Sequence, residues 1–295
     1  MTVTIFVPRD STALALGANE TAAAIEREAK ARGIDIKLVR NGSRGMFWLE
    51  PLVEVATDAG RIGFGPIEEH EVAGLFDAGF TTGGSHPKAL GLTEEIPYLK
   101  KQERLQFVRV GITDPVSLDD YLAHEGYVGL KKAIAMEPAA IVQEVTDSGL
   151  RGRGGAAFPT GIKWKTVLGA EAPQKYIACN ADEGDSGTFS DRMVMEDDPF
   201  MLIEGMTIAG LAVKATEGYI YVRSEYPHSI ANLNEAIAAA NAAGYLGENI
   251  LGSGRTFNLQ VRKAAGAYVC GEETAMLESI AVSYTHLTLP TIYSV

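Results

Sequence analysis

The chain has 295 residues, of which 46% are hydrophobic and 22% charged, a composition typical of a soluble globular protein with room for two domains. Its net charge of −12 excludes a nucleic-acid-binding role, because nucleic-acid phosphates require a basic face. The amino terminus lacks the basic-then-apolar layout of a signal peptide, and no apolar stretch approaches the roughly 18 residues of a membrane span. We therefore expect a cytoplasmic protein without a direct membrane span.

Cysteine and histidine are too sparse for a metal or disulfide framework. The two cysteines, Cys179 and Cys270, exclude a four-cysteine iron–sulfur or zinc site within the chain. None of the five histidines lies three or four residues from another, the spacing that places two side chains on one helical face. We expect no metal ligands, and each cysteine fits a small buried residue better than a nucleophile.

The first 80 residues predict a small α/β domain. Apolar residues alternate in the strand segments, and an alanine-rich helix ends at Gly33. The predicted elements are strands at residues 2–7 and 34–39, a hairpin at residues 51–64 with its turn at residues 58–60, and helices at residues 19–32 and 66–76. The order strand, helix, strand, hairpin, helix is thioredoxin-like.

The rest of the chain predicts a connecting segment and then a larger α/β domain. Residues 81–116 carry glycine, proline and mixed charge with only short apolar runs, which indicates a connection. From residue 117, strand and helix patterns alternate, which predicts a mainly parallel sheet. The predicted strands are residues 175–179, 218–223 and 256–261, and the predicted helices include residues 137–148, 200–214 and 230–243.

The most informative stretch is SGLRGRGGAAFPTGIKW, residues 148–164. Its glycines let backbone N–H groups approach an anionic ligand closely. Two arginines and Lys163 supply positive charge, and Phe158 and Trp164 offer flat surfaces. This combination indicates a large phosphorylated, planar ligand such as a flavin or nicotinamide nucleotide.

Two other interpretations of this loop compete with a flavin or nicotinamide site. Gly152, Gly154 and Ala157 match the dinucleotide fingerprint G-x-G-x-x-G/A, which requires a strand immediately before it. The apolar spacing of residues 137–148 is that of a helix, so the ordinary Rossmann interpretation fails. The remaining alternative is a glycine-rich surface turn without a ligand, which the ordered mixture of cations and aromatic residues disfavours.

A second candidate loop, NADEGDSGT at residues 180–188, follows the first predicted strand of the larger domain. Ligands bind beyond the carboxyl ends of strands in open α/β sheets. Asn180 offers a donor and an acceptor, and Asp182, Glu183 and Asp185 offer acceptors for sugar hydroxyls or a flavin ring N–H. Such a concentration of acids repels phosphate, so these residues face the sugar or ring. The alternative is an Asx-rich turn that caps the next helix.

A third candidate loop, GAYVCGEET at residues 266–274, lies where a predicted strand turns into a helix. Glu272 and Glu273 are adjacent, so their side chains point in different directions and do not form an acid/base dyad. One carboxylate suits a ligand hydroxyl. The alternative is a helix amino terminus with favourable acidic charge.

Four ordered motifs in this region resemble one family. GRGGAAFPTGIKW, CNADEGDSGTFSDR, GYIYVRSEY and GAYVCGEETAMLES resemble the FMN-binding, NADH-oxidising subunits that include the 51-kDa subunit of respiratory complex I. The resemblance spans about residues 120–280. Within the family, GDSGTFSDRM, RSEYPHSI and the amino-terminal extension look most like the beta subunit of NAD-dependent, molybdenum-containing formate dehydrogenases.

The resemblance implies an FMN site and an NAD site, with no side chain acting as acid or base in the hydride step. The glycines would wrap FMN and leave room for nicotinamide to stack on its ring. Phe158 would lie against the adenine of NAD, Lys163 would offset negative charge on reduced flavin, and Asp185 would lie at the nicotinamide end. The implied cofactor-binding residues are Gly152, Arg153, Gly154, Gly155, Phe158, Lys163, Asn180, Asp182, Glu183, Asp185, Tyr268, Gly271, Glu272 and Glu273.

The chain departs from the family pattern in two regions. Ser43 and Phe47 stand where cysteine ligands of an amino-terminal [2Fe-2S] domain are expected, so we expect residues 1–80 to be a cluster-free, thioredoxin-like scaffold or docking surface. Beyond residue 280 the family continues into a further FMN loop and a four-cysteine [4Fe-4S] domain. Here residues 281–295, AVSYTHLTLPTIYSV, carry no Asp, Glu, Lys or Arg. We therefore expect a non-native tail after a truncated FMN-binding α/β domain at residues 117–280.

The resemblance implies a flavin subunit that exchanges hydride between NAD(H) and FMN and passes electrons to or from iron–sulfur centres. The expected partners are a molybdenum-bearing formate dehydrogenase alpha subunit and a small iron–sulfur subunit. One alternative is the flavin subunit of complex I or of an NAD-linked hydrogenase. Another is an inactive fragment that acts only as a binding or assembly module.

Overall fold

The computed structural model of the chain describes residues 2–185, 187–264 and 273–280, and these fall into two compact units. The first unit extends to His124 and includes Glu196–Asp198, whereas the second holds Glu125–Met195 and the residues from Pro199 onward. Each unit has its own β-sheet. No helix in the described ranges combines the length and apolar character needed to cross a bilayer.

The first unit is a mixed five-stranded sheet with strand order β2-β1-β3-β4-β5. Only β1 and β2 are parallel; the other neighbouring pairs are antiparallel. The order strand, helix, strand, hairpin, helix is confirmed, and its thioredoxin-like class stays a prediction. The strands are β1 (Val3–Phe6), β2 (Ile36–Val39), β3 (Val53–Thr57), β4 (Gly60–Phe64) and β5 (Ala89–Leu92), and the helices are α1 (Ser11–Ala15), α2 (Ala18–Arg32), α3 (Val72–Asp77), α4 (Pro97–Lys100) and α5 (Leu118–Ala123).

Helix α2 covers the sheet of the first unit with small side chains. Ala22 and Ala29 are buried beside Ile25 in the same apolar cluster as the strand residues Ile5 and Val55. Alanine combines the strongest helix propensity with the smallest side chain, so this face both favours the helix and lets it approach the sheet. The helix ends at the predicted glycine, which has a left-handed φ of 66°.

The predicted connecting segment, residues 81–116, is part of the first unit. β5 pairs antiparallel with β4, and the unit continues beyond residue 116 through α5 to His124. A four-residue strand is too short to show a clear apolar alternation in the sequence. It forms because the edge of β4 offers unpaired backbone groups that another strand can satisfy.

Glu50 is a buried acid in the first unit, with 4% of its surface exposed. Its carboxyl accepts hydrogen bonds from Ser43 Oγ at 2.7 Å and from Leu52 N at 2.8 Å. Burial and the nearby Asp10 carboxylate outweigh those bonds and raise the pKa of Glu50 to about 8. The folded protein therefore holds this proton at neutral pH.

We predict that Glu50 makes the first unit less stable as pH rises. Because the pKa of Glu50 is raised from 4.5 to about 8 on folding, the unfolded chain releases this proton more readily within that window. The free energy of unfolding then falls by at most about 1.4 kcal/mol per pH unit for this one proton. Urea unfolding of the wild type and Glu50→Gln between the two pKa values checks this. The variant should show a shallower decline, and an unchanged decline would contradict the assignment.

The second unit is built on a parallel sheet of order β6-β7-β8, as the alternating pattern predicted. The predicted strands are confirmed to within two residues at either end. The strands are β6 (Tyr176–Ala181), β7 (Glu217–Val222) and β8 (Asn258–Lys263), and the helices are α6 (Val128–Ile134), α7 (Pro138–Asp147), α8 (Thr160–Gly169), α9 (Ser190–Asp197), α10 (Pro199–Val213), α11 (Pro227–Ala242) and α12 (Glu273–Ile280). The last two residues of α9 belong to the first unit.

Close packing on this sheet depends on glycines. α10 packs against β6 and β7, and α11 packs against β8. The buried ring of Phe257 fills the space beside Gly210 on α10 and Gly218 on β7, where an added Cβ would lie 2.4 Å and 2.6 Å from the ring. These contacts fix the sheet against its helices and therefore the positions of the loops that leave it.

Helix α7 confirms that the glycine-rich loop follows a helix and not a strand. Helix α8 was not predicted separately, because the last residues of the glycine-rich stretch form its first turns. Gly161 lets α8 lie against α7, since an added Cβ would lie 2.2 Å from Thr146 Oγ1. A long-range packing contact therefore compensates for the poor helix propensity of glycine.

We predict that Glu204 is a principal stabilising residue of the second unit. From α10 its carboxylate accepts from Tyr127 N at 2.8 Å and from Leu130 N at 2.9 Å, at the start of α6. Glu204→Ala should lower the free energy of unfolding by about 1–3 kcal/mol, because it leaves these donors without their acceptor. Glu235→Ala, at an exposed position of α11, is the control. Equal stability of the two variants in chemical denaturation would contradict this role.

Candidate functional site

The glycine-rich loop is a closed, exposed turn between α7 and α8. Gly152 N donates to Phe158 O at 2.9 Å, and Thr160 N donates to Leu150 O at 2.9 Å. These two bonds close the base of the loop. Residues 153–157 form its tip and are exposed to solvent.

The tip presents a row of available backbone donors. In the described parts of the chain, the N–H groups of residues 153–157 donate to no protein acceptor. Gly155 has a φ of 100° and Ala157 a φ of 51°, so the backbone enters the left-handed region twice within the tip. Backbone turns of this kind direct N–H groups into concavities that bind anions. The tip is therefore suited to a phosphate group.

Gly152 and Gly154 lie beside open space. An added Cβ at Gly154 would meet no protein atom within 4 Å, and one at Gly152 would lie 3.8 Å from its nearest neighbour, Phe158 O. Neither glycine has a left-handed φ, so neither turn geometry nor intramolecular packing requires glycine there. Gly161 differs, because its Cβ would collide with Thr146. The space that the two loop glycines leave open fits the close approach of a flat ligand such as FMN.

Aromatic and basic side chains stand beside the loop as predicted. Phe158 is 55% exposed, and Lys163 is exposed in the first turns of α8. Trp164 is half-buried, whereas Arg153 is exposed and its Nη1 donates to the carbonyl of Arg151 within the loop. A flat surface and two cationic groups therefore accompany the backbone donors.

In the second candidate loop, Glu183 is buried and caps the following helix. Its carboxylate accepts from Asp191 N at 3.0 Å and Arg192 N at 3.3 Å, at the start of α9, and from Tyr226 Oη at 3.1 Å. Burial and the Glu183 carboxylate raise the pKa of Tyr226 to about 12, so the phenol remains a donor at neutral pH. The turn-and-cap alternative therefore describes the geometry of Glu183.

Arg223, directly after β7, holds the same loop by its backbone. Its Nη1 donates to Glu183 O at 2.8 Å and to Gly184 O at 3.1 Å. Arg223 and Tyr226 were missed as individual site residues, although both lie in the GYIYVRSEY motif. Their roles depend on contacts across about 40 residues of sequence, which residue pattern alone does not reveal.

The other polar residues of this second candidate loop, which we call the acidic loop, are more accessible than Glu183. Asn180 is exposed and its Oδ1 accepts from Asp182 N at 3.1 Å, and Asp185 is exposed and its Oδ1 accepts from Gly187 N at 3.1 Å. Asp182 is half-buried and contributes to the electrostatic stabilisation of the Arg223 guanidinium. These side chains lie at the carboxyl edge of the parallel sheet, the ligand-binding edge of open α/β folds.

The third candidate loop is only partly described. Tyr268, Gly271 and Glu272 lie outside the described residues, as does Cys270. Glu273 begins α12, and its side chain is also outside the description. β8 ends at the same sheet edge as β6 and β7, because all three strands are parallel. The described chain therefore brings the acidic loop together with Arg223 and Tyr226 at that edge.

We predict that Glu183 and Asp185, two acids of the same loop, contribute differently to the free energy of unfolding. Glu183→Ala should lower the free energy of unfolding by about 1–3 kcal/mol, because it removes the cap of α9 and the acceptor of Tyr226 Oη. Asp185→Ala should change stability by less than about 0.5 kcal/mol, since its carboxylate is exposed. Chemical denaturation of both variants measures the difference. A destabilisation by Asp185→Ala that equals or exceeds that of Glu183→Ala would contradict it.

Residues 145–289 match the family model of the Nuo51 FMN-binding domain. The NADP-reducing hydrogenase subunit HndC of Solidesulfovibrio fructosivorans is 54% identical over 181 residues, covering 61% of this chain and 37% of that protein. A subunit of the NADH-quinone oxidoreductase of Escherichia coli (strain K12) is 49% identical over 168 residues, covering 56% and 38%. The chain therefore spans about two fifths of the length of these curated relatives.

Among solved structures, an NAD+-reducing [NiFe]-hydrogenase in the H2-reduced state is similar to this chain at 27% identity. The similarity covers 94% of this chain and 45% of that one, with a TM-score of 0.48.

Proposed function

We propose that this chain, whose residues 145–289 match the family model of the Nuo51 FMN-binding domain, is the NAD(H)-linked flavin subunit of a larger oxidoreductase. In this role it binds FMN and NAD(H) so that a hydride passes between nicotinamide and flavin. The open glycine loop carries the proposal. Its free N–H groups and the empty space beside Gly152 and Gly154 suit a phosphorylated, planar cofactor.

The glycine loop supplies the surface on which the rings meet. FMN, when bound, takes up two electrons as a hydride and releases them singly, which links nicotinamide to iron–sulfur centres. The absence of side chains at Gly152 and Gly154 lets a flat ring lie directly on the backbone. In this proposal Phe158 contacts the adenine of NAD, and Lys163 offsets negative charge on the flavin. No side chain is required as a general acid or base.

The acidic loop supplies hydrogen-bond acceptors for the sugar and ring parts of the ligand, not for its phosphate. Asn180, Asp182 and Asp185 suit ribityl or ribose hydroxyls and the flavin ring N–H, because carboxylate and amide oxygens accept such donors and the two carboxylates repel phosphate. In this proposal Glu183 acts as a positioning residue, since its carboxylate is already engaged by the start of α9. In this proposal the third loop has the roles that the sequence resemblance implies, and it completes the site.

The finer proposal places this subunit in an NAD-dependent formate dehydrogenase. Its support is the resemblance of GDSGTFSDRM and RSEYPHSI to the beta subunits of those enzymes. A separate molybdenum-bearing alpha subunit would oxidise formate, and a small iron–sulfur subunit would assist electron transfer in the cytoplasm. With two cysteines here, the [4Fe-4S] ligands of the full-length family would come from outside these 295 residues.

A hydrogenase or complex I is the second candidate for the parent assembly. The 54% identity to a subunit of an NADP-reducing hydrogenase favours it. The assembly isolated from its source can be tested with formate, hydrogen and NADH plus quinone in turn, following NAD(P)+ reduction or NADH oxidation. Formate-dependent reduction of NAD+ supports the finer proposal, whereas activity with hydrogen alone or with NADH plus quinone alone overturns it.

We predict that Gly154→Ala separates ligand binding from stability. No protein atom lies within 4 Å of the added methyl group, so the free energy of unfolding should change by less than about 0.5 kcal/mol. The methyl group would occupy the proposed flavin surface and weaken FMN binding by at least about tenfold, a cost of about 1.4 kcal/mol. Quenching of FMN fluorescence during titration with the 295-residue protein measures the affinity.

Gly169→Ala is the matched control for Gly154→Ala. Gly169 also has open space around its Cβ position and no left-handed φ, but it lies at the end of α8. It should leave FMN affinity unchanged and should not lower stability, because alanine favours a helical position more than glycine does. A wild-type chain that neither quenches FMN nor reduces dyes with NADH after FMN addition would support the binding-module alternative for these 295 residues. Equal FMN affinity of both glycine variants would contradict the proposed flavin surface.

A further inference from the structure

The first unit contains a broad groove that the flavin proposal does not use. Its volume is about 930 Å³, and one side is formed by α2. Phe47, Trp48, Pro51 and Pro66 contribute its apolar surface. We call this feature the acidic aromatic groove, since acidic residues flank that surface. Apolar surfaces surrounded by polar residues are typical of interaction sites.

Trp48 is the most exposed aromatic residue in this groove. It is 61% exposed, and its ring meets that of Tyr98 edge to face with centroids 5.1 Å apart. The turn that carries Trp48 is anchored, because Met46 is fully buried beside Leu52 and Leu49 packs against the same cluster. Its exposure therefore belongs to a fixed surface. Tryptophan in such positions commonly dominates the energy of protein association.

The walls of the groove carry excess negative charge. Glu20, Glu68 and Glu69 line it together with Arg27. Arg27 is engaged by Glu69 at 2.7 Å, whereas Glu20 and Glu68 form no ion pair with lysine or arginine in the described part of the chain. Glu68 lies 3.5 Å from His70 Nδ1, and its side chain accepts from the backbone N–H of Glu71. Glu28 also lines the groove and is paired with an arginine of the same helix. The groove is therefore lined by more glutamates than lysine or arginine side chains, which matches a basic ligand.

We propose that the acidic aromatic groove binds a basic peptide segment of a partner protein, with an apolar side chain against Trp48 and lysine or arginine beside Glu20 and Glu68. Charge selects this occupant. A second copy of the chain has a net charge of −12 and would bring further negative charge, and an anionic membrane surface would do the same. The inference is independent of FMN binding in the second unit.

Two labelled peptides test the proposal by fluorescence anisotropy. One alternates lysine with leucine and proline, and the other has glutamate at every lysine position. The 295-residue chain should bind the basic peptide at least about tenfold more tightly than the acidic one, and added salt should weaken that binding. Equal affinities, tighter acidic binding or no binding of the basic peptide would overturn the proposal.

Substitutions inside and outside the acidic aromatic groove test whether the basic peptide binds there. Trp48→Ala and the double variant Glu20→Lys, Glu68→Lys should each weaken binding of the basic peptide by at least about tenfold. Leu105→Ala and Glu103→Lys change exposed residues of the same unit outside the groove, so they should leave the affinity unchanged.

Thermal unfolding should show that the groove variants fold, because the substituted side chains are exposed. Full binding by Trp48→Ala would overturn the groove assignment. Sedimentation of the peptide-free chain adds a second test. Self-association that Trp48→Ala abolishes, without binding of the basic peptide, would identify a second copy as the occupant and overturn the proposal.

Discussion

The buried carboxylate of Glu183 is the interaction on which the candidate site most depends. It joins the end of β6 to the start of α9 and to Tyr226, while Arg223 holds the adjacent backbone. A buried carboxylate requires several donors, so this cluster fixes the loop in one conformation. Asn180 and Asp185 are exposed on that fixed support. The acids of one short loop therefore divide between Glu183, which holds the loop, and Asp185, which is exposed to solvent.

The glycines of the adjacent stretch divide in a similar way. Gly161 is required by the protein itself, because no side chain fits between α8 and Thr146. Gly154 has no such requirement, and the open space beside it is what a stacked cofactor would use. Sequence spacing placed both glycines in one motif, and packing distances distinguish the glycine that the protein's own packing requires from the glycine beside open space.

The first unit has a different physical character. Ser43, in one of the positions where a cluster ligand was expected, instead donates to Glu50, whose raised pKa keeps that buried carboxyl protonated at neutral pH. Close to these residues the chain exposes Trp48 in a groove that several glutamates also line. The first unit thus combines a buried, protonated carboxyl with an exposed groove that glutamates line.

The sequence by itself determined the alternation of strands and helices, the helix before the glycine loop and the composition of the ligand loops. Those features follow from local apolar periodicity and from residue chemistry. Tertiary structure alone decided that residues 89–92 form a strand, that Glu183 caps α9 and that Arg223 and Tyr226 support it. These outcomes depend on which strand edges pair and which buried polar groups come into contact after folding. A carboxylate has the same chemistry in every loop, and only its surroundings decide whether it binds the protein or a ligand.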